Sequence, residues 1–136
     1  MNGTLQIGVV GAGWPSWQHM RGYREHGEAE VVALCDSNPT RLQEIADEYG
    51  VPRRYTSYDE MLDSETLDAV SVCTPNAFHA EMAVKAMRNG AHVHCEKPMA
   101  VSTEGAREMT AVSRETGRIL MVGFQRRFGS DAQYLK

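Results

Sequence analysis

Three cysteines in 136 residues, none in C-x-x-C spacing, leave no basis for a zinc ribbon, a redox pair or a disulfide framework. Cys35, Cys73 and Cys95 each fall inside a hydrophobic, strand-like run, so they read as buried, reduced thiols of a cytoplasmic protein. Long apolar runs are missing as well. No stretch approaches the ~18 residues that span a bilayer. The first apolar run, Leu5 to Val10, has no basic segment before it and no small-residue cleavage site after it, so no signal peptide is read. Basic clusters are scarce: Arg53-Arg54 and Arg126-Arg127 are the only adjacent pairs, and the net charge is −4. A phosphate backbone needs clustered Lys and Arg, so a nucleic-acid partner is not expected, and neither is a membrane. Internal repeats and low-complexity segments are absent too.

What remains, 42% hydrophobic and 24% charged residues, suits an ordinary globular chain of one domain. Two kinds of segment alternate along it. Strands are expected at Leu5–Val10, Glu30–Cys35, Arg54–Thr56, Asp68–Cys73, Ala91–Cys95 and Ile119–Gly123. Helices are expected at Pro15–His26, Pro39–Tyr49 with Gly50 as its cap, Tyr58–Leu62, Ala77–Arg88, and Ser102–Thr116 with Gly117 after it. Six short, apolar strands alternating with helices indicate an α/β fold of the Rossmann type, a doubly wound parallel sheet. Met82, Met87, Met109 and Met121 read as core fillers, and Trp14 and Trp17 as packing for the first helix. In the tail, Ser130 or Asp131 would cap a helix cut off within two turns. Residues 1–124 therefore read as one α/β domain, and 125–136 as the start of a connection to something further.

Ligands of open α/β sheets bind beyond the carboxyl ends of the strands. Those ends carry Gly11-Ala12-Gly13-Trp14-Pro15-Ser16, Asp36-Ser37-Asn38, Thr74-Pro75-Asn76, Glu96-Lys97-Pro98 and Phe124-Gln125-Arg126. Gly11 permits a tight turn, and Gly13 lets the backbone approach a pyrophosphate at the helix N-terminus. Ser16 replaces the third glycine of the usual fingerprint, so helix–strand packing there must be managed differently. Trp14 is also positioned to cover the diphosphate. Asp36 lies roughly twenty residues past Gly13, the spacing of an acid that grips the adenosine ribose. A carboxylate accepts hydrogen bonds from the diol and repels a 2′-phosphate, which favours NAD. Arg41 and Ser37 keep NADP open, and capping of the helix at Pro39 is the alternative role for Asp36.

Glu96 and Lys97 stand where an apolar strand emerges. An ammonium beside the hydride-accepting carbon can donate a hydrogen bond to a substrate oxygen. Pro98 restricts Lys97 to extended geometry, and the Lys97–Pro98 bond is a candidate for the cis form. His92 and His94 share one side of a strand, but two ligands without a third do not make a metal site. The pattern of Tyr followed four residues later by Lys, used by short-chain dehydrogenases, is absent.

The stretches IGVVGAG with His19 after it, CDSNPTRLQEIADEYGV, SVCTPNAFHAEMAVKAMRNGAHVHCEKPMA and VGFQRRF resemble the nucleotide-binding half of the Gfo/Idh/MocA oxidoreductases. The likeness extends over essentially the whole chain, with Trp14-Pro15-Ser16 and, above all, the absence of a second domain as departures; it implies that residues 1–124 form the dinucleotide-binding domain and that 125–136 begin the connection to a C-terminal substrate domain absent from this chain. It implies that Thr74, Pro75 and Asn76 line the cofactor's ribose and diphosphate. By the same likeness His79 lies near that groove, and Glu96 lies near the nicotinamide ribose. Lys97 faces the nicotinamide and the substrate hydroxyl, and Arg126 lies near the cofactor. The implied activity is hydride transfer between NAD and a secondary hydroxyl of a sugar or cyclitol. The alternatives are an NAD-dependent glycosidase and a non-catalytic, NAD-binding sensor. The full-length form is expected to be a homo-oligomer that takes a sugar or polyol substrate.

Overall fold

A computed structural model describes residues 3–129. Six strands, β1 (Leu5–Val10), β2 (Ala29–Cys35), β3 (Arg53–Tyr55), β4 (Ala69–Val72), β5 (His92–Cys95) and β6 (Leu120–Val122), form one sheet in the order β3-β2-β1-β4-β5-β6. Every pairing is parallel. Five α-helices connect them: α1 (Trp14–His26), α2 (Pro39–Tyr49), α3 (Tyr58–Ser64), α4 (His79–Arg88) and α5 (Thr103–Thr116). The strand order reverses between β1 and β4, and that switch point opens the crevice where dinucleotides bind in such sheets.

The helix starts follow from short polar side chains. The side chain of Asn38 accepts from the N–H groups of Thr40 and Arg41 at 3.0 and 3.1 Å, and Pro39 fills the first turn of α2 where no N–H is needed. Ser102 accepts from Gly105 N–H at 3.1 Å to begin α5. The helix expected from Ala77 begins instead as a 3-10 turn over Asn76–Phe78 and becomes α-helical at His79. Phe78 N–H closes onto the Pro75 carbonyl at 2.9 Å, an i to i+3 bond that tightens the first turn. The helix caps expected at Ser130 or Asp131 lie outside the described residues.

Alternation along the strands divides the core. Val10, Val70, Val72, Val93 and Cys95 face a cluster built with Met61, Leu62, Met87 and Met109 from α3, α4 and α5. Ile7, Val9 and Leu34 face the other way, against Met20 of α1 and Leu42 and Ile45 of α2. Burying each such side chain contributes roughly 1.5–3 kcal/mol before entropy is charged against it. Two sequence expectations fail here. Met121 is 47% exposed and Trp14 is 62% exposed. On β6 Leu120 packs against the cluster on the α5 side, and by alternation Met121 faces the other way, where it is exposed. Trp14, at the first position of α1, stands at its end rather than on its packed flank. Trp17 is partly exposed as well, at 40%. Among the described residues no helix is long and apolar enough to cross a membrane.

Candidate functional site

The phosphate loop leaves β1 at Gly11, where φ is +91°. A Cβ at this position would come within 2.7–2.8 Å of the Cys73 and Thr74 backbone at the end of β4. Gly11 is thus required twice, by its dihedral and by its neighbour. Gly13 differs. Its backbone is extended, and a Cβ there would meet only Pro15 Cδ at 3.9 Å, so the space above it is open. Ser16, in place of the third glycine, is fully buried, and its hydroxyl donates back to the Gly13 carbonyl at 2.7 Å. Close packing of α1 on the sheet is therefore kept by a small side chain that satisfies its own polar atom.

Asp36 lies just past β2, beside this loop. One carboxylate oxygen accepts from Ala12 N–H at 2.8 Å, and the other accepts from Asn38 N–H, also at 2.8 Å. The cap of α2 is Asn38, so the capping role considered for Asp36 falls to its neighbour. Ser37 and Arg41 are exposed beside it.

Across the switch point, Thr74 follows β4 in the loop after it, with its hydroxyl buried and without a hydrogen-bond partner among the described residues. Pro75 and Asn76 are exposed next to it. His79, the first residue of α4, is 1% exposed, with Nδ1 at 2.7 Å from the Pro98 carbonyl oxygen and Nε2 at 2.9 Å from that of Thr74. Both ring nitrogens face carbonyl oxygens, and a neutral ring can donate to one of the two. His79 therefore braces the wall after β4 against the wall after β5 instead of lending a nitrogen to the groove. Lys97 is exposed on the second of these walls, and the Lys97–Pro98 bond is cis. Arg126 is exposed in a 3-10 turn, Gln125–Phe128, after β6.

Glu96 does not point into solvent with Lys97. Its side chain is 13% exposed: Oε1 lies 3.0 Å from His19 Nε2, and Oε2 accepts from the Lys97 N–H at 3.2 Å. His19 Nδ1 lies 3.2 Å from Ser71 Oγ, and Ser71 Oγ lies 2.7 Å from the Tyr23 hydroxyl. His94 stacks on His19 with ring centroids 4.3 Å apart. Burial lowers the His94 pKa to about 4, with a smaller push from His19 and an opposing pull from Glu96. Burial raises the Tyr23 phenol. Sequence reading missed Ser71 and Tyr23 and gave His19 no role. The available signal was Ser71 itself, the one hydroxyl in the apolar run AVSV.

No three His, Cys, Asp or Glu side chains converge as metal ligands among the described residues. Cys35, Cys73 and Cys95 are free and buried, and burial pushes their thiols up, to about 12 for Cys35 and Cys95. A cleft of about 560 Å³ runs beneath α1 along the bare side of β5 and β6, lined by His19, Tyr23, His94, Met121 and Phe124. Its lining also takes in Glu96, Gly123 and Gln125 at the strand ends, whereas the crevice around the phosphate-loop glycines and Asp36 contributes nothing to it.

The residues of that crevice fit a dinucleotide: open space above Gly13 for a pyrophosphate, a fixed carboxylate for a ribose, and an orphaned hydroxyl at Thr74. Comparison with known proteins agrees. The chain is 38% identical over 133 residues to D-glucoside 3-dehydrogenase of Escherichia coli K12, covering 97% of this chain and 38% of that enzyme. It is 34% identical over 125 residues to inositol 2-dehydrogenase of Rhizobium meliloti, covering 92% of this chain and 37% of that enzyme. Among solved structures, the WlbA dehydrogenase of Bordetella pertussis with NADH and UDP-GlcNAcA superposes with a TM-score of 0.93 at 34% identity, over 98% of this chain and 41% of that one. Scyllo-inositol dehydrogenase of Lactobacillus casei with NAD(H) and scyllo-inositol gives 0.89 at 28%, over 97% and 39%. The chain thus spans about two fifths of the length of the relatives it matches. The sequence profile of the oxidoreductase family with an NAD-binding Rossmann fold, Gfo/Idh/MocA, matches residues 5–124, and the chain belongs to that family.

Proposed function

We propose that this chain is the NAD-binding part of a dehydrogenase acting on a secondary hydroxyl of a sugar or cyclitol. The observation that carries the reading is Asp36, held at the switch point by Ala12 N–H and Asn38 N–H with acceptor capacity left for a ribose diol. The nicotinamide of a bound NAD accepts or returns the hydride. The protein's own contributions are positional and electrostatic. Gly11 and Gly13 bring backbone N–H groups and the α1 N-terminus to the pyrophosphate. Asp36 selects the unphosphorylated ribose, and Arg41 and Ser37 lie on the same rim. Thr74, Pro75 and Asn76 form the facing wall, which His79 braces, and the exposed Trp14 and Arg126 close the rim. Lys97 holds a hydrogen bond to the substrate oxygen and steadies the charge that develops there. The three buried, free thiols support a cytoplasmic protein, and the full-length form is read as a homo-oligomer.

The test uses the full natural chain, with NADH formation followed over a panel of polyols and glycosides. Lys97→Ala is expected to lower kcat by at least about a hundredfold, the usual contribution of a positioned acid–base group, while NAD affinity changes little. A variant that keeps turnover within tenfold of the parent, or a parent that binds NAD no better than buffer, would overturn the reading.

A further inference from the structure

A buried chain of hydrogen bonds joins the helix that begins at the phosphate loop to the loop that carries Lys97. It runs from the Tyr23 hydroxyl to Ser71 Oγ (2.7 Å), to His19 Nδ1 (3.2 Å), from His19 Nε2 to Glu96 Oε1 (3.0 Å), and from Glu96 Oε2 to the Lys97 N–H (3.2 Å). Ser71 is fully buried, and the His19 and Glu96 side chains are 7% and 13% exposed. An ionised Glu96 only accepts, so His19 carries its proton on Nε2. Nδ1 then accepts from the Ser71 hydroxyl, and Ser71 Oγ accepts from Tyr23. One direction satisfies every atom of the chain, and the stacked His94 ring, tilted 23° from that of His19, fixes the plane in which His19 donates.

Neither fold element needs this chain for its own packing. Ser71 interrupts a strand whose neighbours Val70 and Val72 are fully buried apolar residues, and burying its hydroxyl costs stability unless it is bonded. What the chain does accomplish is geometric. Both oxygens of Glu96 are held, one by α1 and one by the Lys97 backbone, so the carboxylate cannot turn without releasing the residue that carries the amine.

We propose that His19 is a positioning residue for Lys97, acting through Glu96, and that Ser71 and Tyr23 hold His19 in the donating tautomer. Because His19 lies on the helix whose first turn receives the pyrophosphate, one element then sets both the cofactor and the amine that works beside it. This inference rests on the reading of Lys97 as the catalytic lysine.

The experiment compares His19→Leu, His19→Gln and Lys97→Ala in the full natural chain, measuring kcat, KM and NAD affinity. His19→Leu is expected to lower kcat by about ten- to a hundredfold, the scale of a 1 Å misplacement, with KM and NAD affinity within about threefold. His19→Gln places an amide N–H near the position of Nε2 and is expected to recover kcat to within about fivefold of the parent. Three outcomes would overturn the proposal. One is His19→Leu with kcat within twofold of the parent, another is a Gln variant no better than Leu, and the third is a loss found in NAD affinity instead of kcat. If His19→Leu does not fold, Tyr23→Phe decides in its place, with a fall in kcat of about threefold at unchanged NAD affinity expected and no change counting against the idea. Lys97→Ala separates the two readings: if it leaves kcat intact, the dehydrogenase reading fails, whereas if it abolishes turnover and His19→Leu does not change it, only the positioning role fails.

Discussion

An aspartate whose oxygens accept from Ala12 N–H and Asn38 N–H, 2.8 Å each, still has acceptor positions left, because an ionised carboxylate offers about four. Asp36 can therefore order the phosphate loop and receive a ribose at once. Asp36→Ala removes both contributions. It is expected to weaken NAD binding by about ten- to a hundredfold, or roughly 1.4–2.8 kcal/mol, and to narrow the gap between NAD and NADP by removing a repulsion. Titration calorimetry with both cofactors checks this, and a parent chain that prefers NADP would refute the assigned role. His94 gives a second prediction at this scale. Its ordinary value is 6.5, and burial lowers it to about 4 in the fold. Between pH 6.5 and pH 4 the unfolded chain therefore binds more protons at this site than the folded one, so stability is complete above 6.5 and falls as pH drops through the window. The partly exposed setting and the Glu96 charge limit the effect to on the order of 1–2 kcal/mol. His94→Gln should flatten that part of the pH dependence of urea unfolding, and an unchanged slope would show that other groups cause it.

At the scale of elements, the turn between β1 and α1 separates what folding needs from what binding needs. Gly11→Ala forces a side chain into φ +91° and against the Cys73 backbone, and is expected to cost about 2–4 kcal/mol of stability. Gly13→Ala adds a Cβ in open space on extended backbone, so stability should stay within about 0.5 kcal/mol while NAD affinity falls. Urea melts and NAD titrations on both variants distinguish these costs, and a Gly13→Ala chain that binds NAD normally would move the pyrophosphate elsewhere. The order of strands and helices was legible because short apolar runs and capping residues such as Asn38 and Ser102 are local signals. Element ends were less so: the chain enters α4 through a 3-10 turn over Asn76–Phe78, which composition does not reveal. The strand-end residues could be read because parallel topology forces them to one edge. The chain Tyr23–Ser71–His19–Glu96 could not, since its contacts join residues 48 to 77 positions apart and only the folded sheet brings them together. His79 shows the same limit, because its two carbonyl partners lie 5 and 19 positions away and only the fold brings both to one ring.

For the whole molecule, the two faces of the sheet are unequal. Helices α3, α4 and α5 cover one face out to Leu120, whereas on the other α1 meets β5 at His94 and leaves Met121 of β6 uncovered among the described residues. That side exposes Met121 at 47% and, just after β6, Phe124 at 55%, both in the lining of the 560 Å³ cleft. Parallel sheets are ordinarily covered on both faces, and an apolar patch of this kind associates when nothing else covers it. The 136-residue chain on its own is therefore expected to fold, bind NAD and associate with itself as its concentration rises, without turning over any polyol. Met121→Lys combined with Phe124→Ser should weaken the association at least about tenfold, and should change the stability of the monomer by no more than about 0.5 kcal/mol because both side chains already face water. Sedimentation equilibrium of parent and variant decides the first part, and a variant that associates as tightly as the parent would assign the contact to another face. Robust polyol oxidation by the 136-residue chain would locate the substrate-positioning groups within it, since misplacement alone costs about a hundredfold and Lys97 by itself does not orient a substrate.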